Sequence, residues 1–283
     1  MKLQAKLGWL VVCLSVGDLK RSLEFYSLLD FVQVGGSVAD DWAVIQQRNC
    51  ELHLFGGKHI KQDMLNFRGG DVQAIVAELK ERGLTPRAGH VDSDGMAIES
   101  PDGCMSASYF DPDGLEVFFD SHPDEQAAFT RGEPFTITGA RGKVSPAALK
   151  LGNFAYSIFV GKLEPSLKFY EQLGFWMAGG KVEEKWAALA YAGPPHHPEQ
   201  EVDYMHVSLH EHGGVPNILN WRGGDVFKLA EQLKARGVVF TKEPYQEYGC
   251  DTVLFEDPDG RTLMLDTHEQ ERLYSPRPAL EQG

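Results

Sequence analysis

Apolar and polar positions alternate in several short stretches of this chain. From Leu7 to Val16, the residues Val12, Leu14 and Val16 form one apolar face, while Val11, Cys13 and Ser15 form a mixed one. A period of two marks a strand buried on one side. The same alternation sets Leu65/Phe67 against Met64/Asn66/Arg68, and Leu115/Val117/Phe119 against Glu116/Phe118/Asp120. Helices are predicted at Leu19–Leu29 and Val72–Arg82. Asp71 and Asp225 stand where an N-cap belongs, and Gly83 and Gly237 where a C-terminal glycine belongs. Strands Trp42–Gln46 and Leu52–Phe55 follow the first helix, and Ser106–Phe110 and Leu115–Asp120 follow the second. Asp111-Pro112-Asp113-Gly114 is a turn sequence, with Pro second and Gly fourth. The predicted unit is β-α-β-β-β.

The pattern occurs twice over. Val16-Gly17-Asp18-Leu19-Lys20-Arg21-Ser22-Leu23-Glu24-Phe25-Tyr26 matches Val160-Gly161-Lys162-Leu163-Glu164-Pro165-Ser166-Leu167-Lys168-Phe169-Tyr170 at an offset of 144, which also aligns Gly35-Gly36 with Gly179-Gly180 and Trp42-Ala43 with Trp186-Ala187. Asn66-Phe67-Arg68-Gly69-Gly70-Asp71-Val72 matches Asn220-Trp221-Arg222-Gly223-Gly224-Asp225-Val226 at 154. Asp111-Pro112-Asp113-Gly114 matches Asp257-Pro258-Asp259-Gly260 at 146, as do Asp120/His122 and Asp266/His268. The changes of offset fall in loops, around Gly193–Pro198 and between Gly83 and Cys104. The chain therefore holds four units. The expected organisation is a first domain over 1–122, a Gly- and Pro-containing linker over 123–150, a second domain over 151–268 and a tail over 269–283.

Composition narrows the function classes. The 283 residues carry 27 Lys+Arg against 41 Asp+Glu, a formal net charge of −14. That sign disfavours binding to nucleic-acid phosphates. Cys13, Cys50, Cys104 and Cys250 form no C-x-x-C pair, which fits a reducing compartment better than a disulfide framework. The run Leu7–Val16 is too short to span a bilayer. It recurs in mid-chain, so it is read as a strand rather than an export signal. The expected location is the cytoplasm, with no membrane partner.

The Val-x-Asp-Leu-x-x-Ser-x-x-Phe-Tyr and Asp-Pro-Asp-Gly elements resemble those of the vicinal-oxygen-chelate superfamily, which includes glyoxalase I, extradiol dioxygenases, and fosfomycin and bleomycin resistance proteins. Lys162 stands where the pattern has Asp. The resemblance implies an α+β fold in which the four βαβββ units form two half-open, eight-stranded, barrel-like sheets, each around a cleft. It also implies a divalent metal at three positions per cleft. Counted from the motifs, these are Val11, Met64 and Phe118 in the first copy, and Ala155, Ile218 and Met264 in the second. None supplies the His, Asp or Glu that a hard or borderline cation requires. The expectation is a site without cofactor or metal.

Without a metal, each cleft has the make-up of a small-molecule pocket. Trp42-Ala43-Val44-Ile45-Gln46-Gln47-Arg48 with Glu51-Leu52-His53-Leu54-Phe55, and Glu243–Cys250 ahead of Asp257, most resemble the bleomycin resistance proteins. Those sequester a cationic aromatic antibiotic and are dimers of single domains. A fused tandem would give either one shared dimer-like assembly or two self-contained barrels, as a monomer or a homodimer. Candidate ligand contacts are Trp42, His53, Asn66, Phe118, Trp186, His206, Asn220 and Met264; no catalytic residue is assigned. Trp offers a stacking face, and Asn a donor and an acceptor. Arg68 and Arg222 are read as salt-bridge partners and Cys13 as a buried, inert thiol. The alternative is a lyase, isomerase or dioxygenase with relocated metal ligands, or a metal-free enzyme using His53 or His206 as base. His206 and His210 lie roughly 13 Å apart along an extended strand, too far to share an ion.

Overall fold

Each half of the chain builds its own sheet. The computed structural model describes residues 6–48, 50–87, 92, 95–133, 144–145, 147–191 and 207–271. The first half runs β1 (Gly8–Val16), α1 (Leu19–Ser27), β2 (Val32–Ser37), β3 (Trp42–Gln47), β4 (Cys50–Gly56), β5 (Met64–Gly69), α2 (Val72–Glu81), β6 (Ile98–Glu99), β7 (Met105–Phe110) and β8 (Glu116–Ser121). After α3 (Pro123–Thr130), the second half runs β9 (Gly152–Val160), α4 (Leu163–Gln172), β10 (Trp176–Lys181), β11 (Trp186–Ala190), β12 (Val207–Glu211), β13 (Ile218–Gly223), α5 (Val226–Ala235), β14 (Phe240–Glu247), β15 (Cys250–Glu256) and β16 (Thr262–His268). The strand orders are β2-β3-β4-β1-β5-β8-β7-β6 and β10-β11-β12-β9-β13-β16-β15-β14. This is the α+β fold of four βαβββ units, and each eight-stranded sheet comes from one contiguous half. Among the described residues, no helix is long and apolar enough to cross a membrane.

Strand parity decides what lies on each side. Val12, Leu14, Leu65, Phe67, Val117 and Phe119 are all buried in a core that continues through both halves, where Phe67 meets Tyr191 edge-on at 5.3 Å. The opposite faces of the sheets carry Val11, Asn66 and Phe118 in one half and Ala155, Asn220 and Met264 in the other. Gly36 and Gly180, at positive φ beside a bulge, let β2 and β10 approach their neighbours; a Cβ there would collide with the carbonyl of Trp42 or Trp186. Both tryptophans are thereby set at the start of their strands.

The Asp-Pro-Asp-Gly turns do more than reverse the chain. Asp259, in the second half, accepts from the Gly17 N–H (2.8 Å) and the Ser22 hydroxyl (3.3 Å), at the start of α1 in the first. Asp113 accepts from Gly161 N–H (2.8 Å) and Ser166 (3.0 Å), at the start of α4. Deeper in, Tyr26 donates to Asp257 (3.0 Å) and Tyr170 to Asp111 (3.2 Å). Each half thus braces the start of a helix of the other. Asp18 caps α1 by accepting from Arg21 N–H. Lys162 cannot do so for α4, and Glu211 supplies the carboxylate instead, accepting from Leu163 N–H at 3.1 Å.

One part of this arrangement is asymmetric. Asp63 accepts from Ser15 N–H and pairs with Arg261 of the other half at 2.6 Å; Arg261 also holds Asp257 at 3.0 Å and donates to the Ser15 carbonyl. In the mirror position, Asn217 accepts from Phe159 N–H and Leu115 replaces the arginine. Charge appears in both partners or in neither.

The segment expected as a linker begins with a helix. Pro123 fits the first helical position, and Glu125 accepts from the His122 N–H at 3.3 Å. The resulting α3 packs on β5 and so belongs to the first half's cleft.

Arg261→Leu strands the buried Asp257 and the half-buried Asp63 and is expected to cost about 3 kcal/mol. Asp63→Asn/Arg261→Leu, which copies the other half, should recover more than half of that loss. Urea unfolding of the single and double variants checks both.

Candidate functional site

The cleft face of each sheet is read in rows across the strands. Val11 lies opposite Asn66, and Asn66 beside Phe118. In the second half, Ala155 lies opposite Asn220, and Asn220 beside Met264. Counting from the motifs had put Met64 and Ile218 in these rows. The observed registers pair them with Cys13 and Ser157 instead, one pleat away. Each row holds one neutral amide between apolar side chains. Such a set does not fit a divalent cation, whose sites use several His, Asp or Glu ligands.

The two clefts differ in filling. In the first, α3 folds back so that Phe129 meets Trp9 edge-on at 4.9 Å, and both bury with Val11, Cys13 and Met64. Burial raises the Cys13 thiol far above its ordinary value, so it remains protonated. In the second half, Asn153 stands in place of Trp9, Ala155 in place of Val11, Ala188 in place of Val44 and His210 in place of Phe55. Of these, Ala188 and His210 line an open cavity of about 640 Å³, together with Trp186, Ser208, Asn220, Arg222, Met264 and Asp266 among others.

The anticipated contacts divide accordingly. Trp186, Asn220 and Met264 line the second cavity together. Trp42 is half-buried against Val34 and Val44. His53 is buried, with its Nε2 at 2.9 Å from Glu51, and so is engaged inside the sheet. Asn66 is buried and Phe118 packs against the Trp9 cluster. His206, like His196 and His197, lies outside the described residues.

His210 is the prominent residue absent from the anticipated set. It is stacked with Phe159 at 5.3 Å and lies nearly parallel to Trp186 at 6.5 Å. The Ser208 hydroxyl lies 2.9 Å from that of Ser157 and hydrogen-bonds the His210 Nε2 at 3.0 Å. Burial, reinforced by Arg222 and His212, pulls the imidazole down to about 4. The ring is neutral at pH 7. It offers an uncharged aromatic face beside Trp186.

At the far end of the cavity, Arg222 meets Asp266 at 3.1 Å and forks onto both oxygens of Glu271 at 2.9 Å. Arg68, Asp120 and Glu125 repeat this arrangement in the first half. Both arginines thus serve as salt-bridge partners. Burial raises Asp266 and Asp120, and the arginines oppose that shift. Asn220 favours the charged Asp266 by hydrogen bonding, while its own Oδ1 is buried and accepts no hydrogen bond. The wide-against-small contrast of Trp9/Asn153 and Val11/Ala155 is visible in the repeat itself; the plug from α3 is not.

The lowered His210 value has a sign for stability. The unfolded chain takes up a proton near 6.5, before the folded one, so the site's contribution is full above about pH 6.5 and is lost on acidification toward 4. An NMR titration should place the His210 midpoint near 4, and His210→Gln should flatten the acid side of the urea-midpoint profile.

Comparison with known proteins adds family and fold. Residues 150–265 match the model of the Glyoxalase/Bleomycin resistance protein/Dioxygenase superfamily. No curated protein matches the chain by sequence. The 2,3-dioxygenase LapB from Pseudomonas sp. KL28 is similar in structure, with a TM-score of 0.58 at 14% identity, over 99% of this chain and 96% of that one. The Mn(II)-bound glyoxalase from Novosphingobium aromaticivorans gives 0.55 at 15% identity, over 94% and 82%. Homoprotocatechuate 2,3-dioxygenase from Arthrobacter globiformis gives 0.55 at 14%, over 98% and 90%. The family match thus lies in the second half, and the structural likenesses show the fold across both halves.

Proposed function

We propose that this chain binds a small, planar, cationic aromatic molecule in the cleft of its second half, sequestering it as a resistance protein would. The observation that carries this reading is the contrast between the clefts. One is packed by Trp9 and Phe129, and the other is open, with a volume in the range of small-molecule sites. Trp186 and the neutral His210 supply near-parallel aromatic faces. The unpaired Oδ1 of Asn220 supplies an acceptor for a guest N–H. Glu184, Asp266 and Glu271 outnumber Lys185 and Arg222 along the lining, so a cation is favoured over an anion. The glyoxalase and dioxygenases that share the fold are enzymes. Lyase or dioxygenase chemistry here would need coordinating groups in the row Ala155, Asn220 and Met264, and that row does not supply them.

The test is a tryptophan-fluorescence titration of the chelator-treated protein with a bleomycin-class antibiotic and with simple planar aromatic amines. Saturable quenching is expected. Trp186→Ala should weaken binding by about two- to tenfold, from the roughly 0.5–1.5 kcal/mol of an aromatic pair. Ala188→Val/Met264→Phe, which restores the first half's side chains at two positions of the lining, should abolish binding while the protein remains folded. Lack of response to the whole panel, or binding unchanged in the filled variant, would sink the reading.

A further inference from the structure

Three side chains meet at one end of the second cleft, and that reading uses only the charge of Asp266 among them. Cys250 on β15 stands directly opposite His268 on β16, and Asp266 lies two residues earlier on the same face. One ligand atom from each, sulfur, imidazole nitrogen and carboxylate oxygen, lies within 4.8 Å of the others. Cys250 Sγ is 3.8 Å from Asp266 Oδ2. Among the described residues, this is the group of three that gathers so closely.

The surroundings suit a cation. Asp266 is buried, and its Oδ1 accepts no hydrogen bond. An unpaired buried carboxylate oxygen calls for a donor or a positive charge. Arg222 does not supply the balance alone. It holds Asp266 Oδ2, but it also forks onto both oxygens of Glu271. One arginine thus stands between two carboxylates, and one negative charge remains. Loss of the Cys250 proton would bring a second, which matches a divalent ion.

We infer that Cys250, Asp266 and His268 form a three-ligand site for Zn²⁺ or a similar borderline divalent ion, with its fourth position open to the cleft. The donor set of one thiolate, one imidazole and one carboxylate selects zinc or cobalt over magnesium or calcium. On binding, the Cys250 S–H bond breaks, its proton passes to solvent, and the sulfur lone pair binds the metal; no redox change occurs. Asp266 and His268 line the cavity, so a guest there could reach the ion. The site is separate from the row through Met264, two residues earlier on β16. Cys104, Asp120 and His122 occupy the matching positions of the first half, where His122 is instead the N-cap of α3. They provide an internal control.

Co²⁺ added to the chelated protein, with no organic guest present, tests the site. One equivalent should produce the near-ultraviolet thiolate-to-cobalt charge-transfer band and release protons. Cys250→Ser should abolish the band. His268→Ala should weaken Zn²⁺ binding, in competition with a chromophoric chelator, by at least about 10- to 100-fold, the loss caused even by removing an outer-shell partner. Cys104→Ser should change neither reading. A missing band, or one that survives in Cys250→Ser, would overturn the site. The fluorescence titration above is run on chelated protein, so the failure of one reading leaves the other standing.

Discussion

Everything in this fold hangs on the exchange of aspartates between the halves. A turn aspartate from each side braces the start of a helix on the other, and a second aspartate anchors a buried tyrosine. Backbone N–H groups at a helix start have no partner within the helix. Here the backbone just before each helix finds its acceptor in the other half, 242 residues away for Gly17 and 48 for Gly161. The exchange aligns the core faces of the two sheets, and a continuous apolar core follows from that alignment. With those faces turned inward, the clefts must open on the opposite sides.

Within that symmetry the halves have parted ways. The charged Asp63–Arg261 pair on one side faces Asn217 and Leu115 on the other. Each member of a buried ion pair is costly without its partner, so the pair is kept or replaced as a whole. The clefts diverge by size rather than charge. Trp9, Val11 and Phe129 make the first a small auxiliary core, while the second keeps a cavity lined in part by Ala188 and His210.

Much of the fold was legible in the sequence, because a duplicated motif fixes the unit and strand parity fixes the buried face. Val12, Leu14, Phe67 and Phe119 lie where alternation places them. The site was less legible. Counting back from Asp71 reaches Met64, while the residue paired with Val11 is Asn66, two residues later, because cross-strand register is not written in the spacing to the helix. The role of Phe129 could not be read locally, since a helix within a Gly- and Pro-containing segment gives no sign of which cleft it fills. The stacking of His210 depends on Phe159 and Trp186, which lie far from it in sequence and meet it only through strand pairing. The Asp-Pro-Asp-Gly elements were read as turns, which they are. Their action on the other half leaves no local pattern.

The reciprocal bracing also bears on how such a chain can change over generations. In a symmetric pair of identical subunits, every substitution appears twice, so a residue that closes one cleft closes both. Joining the two copies in one polypeptide removes that obligation while the exchanged aspartates preserve the geometry. One half is then free to trade its cavity for stability, and the other to tune its cavity for a guest, without either losing the partner that completes its helices.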